Sequence, residues 1–235
     1  NYSDDISGSG YAVMLNVGNT QYSVLVNDNQ MRYHMGVEFP YSLTFDGSHL
    51  WTTCITTDGT GTSIAIGLEI DNYGGNLSYV GSFPTPSGGL NGITWDGYAL
   101  LLRQAWDEFT PLYVVDFDGS VMAEWPSAEP FNSHDIAWDD NYGLYSLTVD
   151  YDGENDTYHE NIYEMYPGDD GQFYLSEDVV TTGYGQNGTF GSLLGYSTWS
   201  YALDINNGNL VTVPWNSSYS YSYDFSDYEN LPVFS

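Results

Sequence analysis

The residues able to do acid–base or metal chemistry in this chain are four histidines and 32 acids. The histidines are His34, His49, His134 and His159. His134 directly precedes Asp135, and His49 falls between an Asp46-Gly47 pair and Trp51. Either ring, placed beside an opening, has the character of a general base, with a metal available to stabilise developing charge. Neither G-x-S-x-G nor H-E-x-x-H occurs, so the sequence carries no serine-hydrolase elbow or zincin helix. Charged neighbours alone do not make a base, and no catalytic set is assigned.

Asp150, Asp152 and Asp156, in VDYDGENDTYHE, offer hard oxygens suited to calcium. The loop has glycine at its fourth position, where an EF-hand needs it at the sixth. A bound cation would draw together acids that otherwise repel. Sequons for N-glycosylation occur at Asn1, Asn76, Asn155, Asn187 and Asn216. The tail SSYSYSYDFSDYENLPVFS places Tyr219, Tyr221, Tyr223 and Phe225 in strict alternation with Ser and Asp. A strand there carries its aromatics on one side, either packed on a neighbouring strand or offered to a subunit or a sugar ring. With the polar opening segment that includes Asn1 and Tyr2, this strip is the expected assembly contact, by strand exchange at a sheet edge.

The formal charge is −30: there is no lysine, and Arg32 and Arg103 are the basic residues. Such a surface repels phosphate backbones and anionic headgroups, which argues against nucleic-acid and membrane-surface partners. It also repels itself, a cost that molar salt removes by shrinking the screening length to about 3 Å. Aspartate outnumbers glutamate 22 to 10, in keeping with a salt-rich or extracellular habitat. Cys54 is the single cysteine, so no disulfide framework or cysteine-based metal site is available. No apolar run approaches the ~18 residues of a membrane-spanning helix. The chain starts at Asn1 without a signal-like segment, and the expectation is a mature secreted product, extracellular or at the cell surface.

The elements that position these residues follow from a repeat. SLTFDGSHLW (42–51), GITWDGYALLL (92–102) and DIAWDDNYGLYSL (135–147) share one pattern, with the aromatic at Phe45, Trp95 and Trp138. The spacings of 50 and 43 residues are those of propeller blades. In the second copy Ile93 and Trp95 lie on one face of a first strand, Asp96-Gly97 turns the chain, and Tyr98 to Leu102 forms an apolar inner strand. PLYVVDFDGSVMAEW adds two more strands around Asp118-Gly119, with Val121, Ala123 and Trp125 on one face of the last. Weaker units occupy 11–40 and 186–235. The expectation is an all-β fold: an extended segment 1–10, then a single β-propeller of about five four-stranded blades over 11–235.

The hydrophobic pair, aromatic, Asp-Gly and apolar strand, seen in LTFDGSHLW, ITWDGYALLL and IAWDDNYGLY, resembles secreted β-propellers of the NHL and lyase-like superfamily. The resemblance spans roughly 42–171 and implies architecture; that group includes enzymes, binding modules and scaffolds, so activity must come from the site. Three functions are open at this stage. The first is a non-enzymatic extracellular propeller in a cell-surface assembly or filament, self-associating through its termini or strand edges. The second is a glycan-binding module using exposed Tyr and Trp residues, among them Trp106 and Trp215. The third is a polysaccharide lyase with His134 or His49 as base.

Overall fold

The computed structural model describes residues 10–17, 20–27, 36–38, 41–70, 77–139, 143–152, 157–177, 181–182, 200–206, 209–214 and 221–224. The regular elements among them are β-strands, gathered in chain order into five antiparallel sheets. The first sheet pairs β1 (Gly10–Val17) with β2 (Thr20–Asn27). The second holds β3 (Val37–Glu38), β4 (Leu43–Phe45), β5 (His49–Thr56), β6 (Ser63–Ile70) and β7 (Leu77–Pro84), with β3 and β4 both on β5. The third is β8 (Asn91–Trp95), β9 (Leu100–Gln104), β10 (Leu112–Val115) and β11 (Val121–Trp125). The fourth is β12 (Ser133–Asp139), β13 (Gly143–Asp152), β14 (Thr157–Pro167) and β15 (Phe173–Leu175), with β16 (Thr181–Thr182) also on β14. The fifth is β17 (Ser200–Asn206), β18 (Asn209–Pro214) and β19 (Tyr221–Asp224).

The third, fourth and fifth sheets meander strand by strand, and β4, β8, β12 and β17 lie side by side. Radially stacked meanders with their leading strands innermost make this an all-β propeller architecture. The leading strands run in the same direction, as stepped bonds between blades show. The Trp95 N–H donates to Thr44 Oγ1 (3.1 Å), and the Trp138 N–H to Thr94 Oγ1 (2.9 Å). The residue before the repeat's aromatic thus tethers the aromatic of the next blade.

The apolar run after Asp96 serves two cores at once. Successive strand residues point to opposite faces. Leu100 and Leu102 of β9 pack with Trp51, Ala65, Phe83, Ile93 and Val115, toward the preceding blade. Leu101 faces the other way, with Leu112, Phe131, Ile136, Leu144, Met165 and Phe173. Burying one such side chain contributes roughly 1.5–3 kcal/mol.

Two expectations shift. Tyr98 and Ala99 belong to a turn, because Asp96 Oδ1 accepts both their N–H groups (2.8 and 2.7 Å); the strand therefore starts at Leu100. Asp46 Oδ1 captures Ser48 and His49 in the same way (2.7 and 2.6 Å). Gly47 and Gly97 take the left-handed backbone that these turns require (φ 92° and 89°). Second, Val37–Glu38 pairs with β5, so the end of the 11–40 unit contributes to the second sheet. No helix among the described residues is long and apolar enough to cross a membrane.

Candidate functional site

The upper face is where β8 and β12 begin and where the β9–β10 loop (105–111) turns. This loop is held from below by Arg103, the last buried residue of β9. Its Nη2 donates to the carbonyls of Phe131 (3.1 Å), Asp107 (3.3 Å) and Glu108 (3.5 Å). The guanidinium lies 3.9 Å from the centroid of the Phe131 ring. It is wholly buried, and that burial pushes its pKa down to about 10 against the opposing pull of Asp107. One side chain therefore staples the β9–β10 loop to the segment that leads into β12.

Trp106, at the crest of the loop, is the one non-glycine residue with a positive φ (65°) among the described residues. A side chain in that region costs roughly 1–2 kcal/mol. Its N–H donates to the Ser133 carbonyl (3.1 Å). Its ring packs 3.8 Å, centroid to centroid, over the buried His134 ring. The other part of Trp106 faces solvent, at 49% exposure, and Phe109 beside it is 74% exposed. The Asp107 carboxylate accepts the Phe109 N–H (3.0 Å), and Asn132 Nδ2 donates to Glu108 Oε1 (3.4 Å). A rigid aromatic crest bordered by carboxylates is suited to stacking and apolar contact.

Below the crest, the leading strands converge on Asp135, which is 1% exposed. Its Oδ1 accepts from Ser42 Oγ (2.6 Å) and the Ile136 N–H (2.9 Å), and its Oδ2 from the Leu203 N–H (2.8 Å). Tyr41 Oη donates to the His134 carbonyl (2.8 Å). Asp135 thus ties blades together by hydrogen bonds. His134 is covered by Trp106. His49 lies at the opposite end of the leading strands, its Nδ1 3.3 Å from Asp46 Oδ2. The two histidines considered as bases therefore do not share a site, and the His134 ring offers no exposed edge to a substrate.

The remaining candidates are only partly within view. Asp150 and Asp152 close the β13–β14 hairpin, with Asp150 opposite His159 in register; Asp156 lies outside the described residues. Among the described residues no three His, Cys, Asp or Glu side chains gather as metal ligands. Tyr221 and Tyr223 stand in β19, opposite Thr212 and Leu210 of β18. Asn1, Tyr2, Tyr219, Phe225 and the sequons at Asn76, Asn155, Asn187 and Asn216 lie outside the described residues. Sequence reasoning missed Arg103. Its signal was a rare cation embedded in the apolar run LLRQAW.

No protein-family model matches the chain, and no curated protein matches it. Among solved structures it is similar to a chain of a crystal structure of a nidogen/laminin complex. The two are 12% identical, with a TM-score of 0.48, over 94% of this chain and 89% of that one.

Proposed function

We propose that this chain is a non-enzymatic extracellular propeller, a structural or adhesive subunit of a cell-surface assembly. The observation that carries the reading is the Trp106 crest. Its ring is half exposed, yet fixed from beneath by His134 and by a loop that Arg103 staples in place. Rigid aromatics that bury area at low entropy cost are what a contact surface requires. Self-association is the interaction to test first, because aromatic contact can unite such acidic surfaces once salt screens them. The experiment is sedimentation velocity and electron microscopy of the intact chain over a concentration series, at low and at molar salt. Assembly at high salt that weakens in a Trp106→Ala/Phe109→Ala double variant supports the proposal. A monomer throughout, or assembly indifferent to both substitutions, overturns it.

A further inference from the structure

The structure assigns a second binding site, a subsite for a neutral sugar, to the β14–β15 hairpin at the lower end of the fourth sheet. It is distinct from the Trp106 crest and does not depend on it. Tyr166 and Tyr174 are cross-strand partners, with ring centroids 5.8 Å apart and planes inclined by 17°. At that separation and tilt the rings stack offset on each other, with no slot between them. Tyr166 is 43% exposed.

The turn beside the rings is closed by its own hydrogen bonds. The Gly168 N–H donates to the Gln172 carbonyl (2.7 Å) and the Gly171 N–H to the Gly168 carbonyl (3.1 Å). Tyr174 Oη donates to Asp170 Oδ2 (2.8 Å), and Asp170 Oδ1 accepts the Gln172 N–H (3.1 Å). Glycine is required at 168, since a Cβ there would fall 2.5 Å from Tyr174 Cε2. With Asp169 these residues line a shallow, open depression of about 350 Å³.

The chemistry selects the ligand. Asp170 is occupied by donors of its own hairpin, so the depression offers one further carboxylate, Asp169, beside the exposed part of the Tyr166 ring. A sugar matches that composition: its C–H face stacks on Tyr166 and its hydroxyls donate to the carboxylate. A bare cation would leave the ring surface uncovered. Uronates and sulfated sugars are repelled by the chain's net charge of −30.

Saturation-transfer NMR on the intact chain tests this at fixed ionic strength. The probes are cello-, manno- and chito-oligosaccharides, an oligogalacturonate and an arginine-rich peptide. At least one neutral probe is expected to bind at millimolar concentration, with affinity falling roughly tenfold in Tyr166→Ala. Tyr174→Phe, which keeps the ring, changes affinity by less than about threefold, and Trp106→Ala leaves it unchanged. Should Tyr166→Ala misfold, the exposed Asp169→Asn serves, with a loss of about threefold expected. Failure of all neutral probes to bind, binding that survives both Tyr166→Ala and Asp169→Asn, or binding of the peptide or galacturonate alone overturns the assignment.

Discussion

Ser42 Oγ reaches past the intervening blade to Oδ1 of Asp135, 2.6 Å away, and Gly92 is the residue that lets it through. Ser42, Gly92 and Asp135 hold the same position in three successive repeats. A Cβ on Gly92 would lie 2.8 Å from Asp135 Oδ1 and 3.0 Å from the Ile136 nitrogen. Gly92→Ala should therefore destabilise by about 2 kcal/mol, seen as a lower urea midpoint with unchanged slope.

Truncating the hub carboxylate leaves buried donors without acceptors. Asp135→Ala is expected to cost about 3–5 kcal/mol, and Ser42→Ala about 1 kcal/mol. The double variant should cost less than the sum, because both changes break the same bond. Additive losses in chemical denaturation would contradict the shared bond.

The tethers between blades make a matched pair. Thr44→Val and Thr94→Val each keep the side-chain shape and orphan one backbone N–H, of Trp95 and Trp138 respectively. Each should cost about 1–2 kcal/mol, and the two costs should agree within a few tenths, as fits equivalent repeat positions. Thermal unfolding of both variants checks this.

At the crest, Trp106→Gly removes the stack on His134 and also relieves the left-handed backbone. These effects oppose each other at roughly 1 kcal/mol apiece, so overall stability should change little while assembly is lost. A large fall in melting temperature would show that the ring is chiefly structural.

Acid should loosen the Asp46 turn. Burial pushes this carboxyl up, but donors from His49, Trp51 and Ser48 outweigh it and hold the pKa below the usual aspartate value. A group with a lowered folded pKa adds stability at neutral pH and loses it as pH falls below that range. Asp46→Asn should therefore be less stable at neutral pH and show a shallower loss of melting temperature on acidification.

Much of the architecture was readable because the repeat joins three local signals: the aromatic, the Asp-Gly turn and the apolar run. Ala123 and Trp125 are half-buried, and Met122 and Glu124 exposed, as alternation required, although Val121 at the strand start is exposed as well. The site was harder to read. Trp106 gains its meaning from a backbone angle and from His134, 28 residues away, and no local pattern encodes either. Gly92 takes its role from Asp135 of the next blade, 43 residues on, which no local pattern marks. The start of β9 was misplaced because Asp96 competes for backbone N–H groups that a strand would otherwise use.

With Leu100 and Leu102 turned to one neighbour and Leu101 to the other, β9 is a party wall. Pulling away either adjoining sheet strips that strand of one of its linings, so the damage spreads to the next sheet along. Limited proteolysis of the native chain should accordingly yield either intact material or small peptides, with no long-lived fragment of two or three sheets.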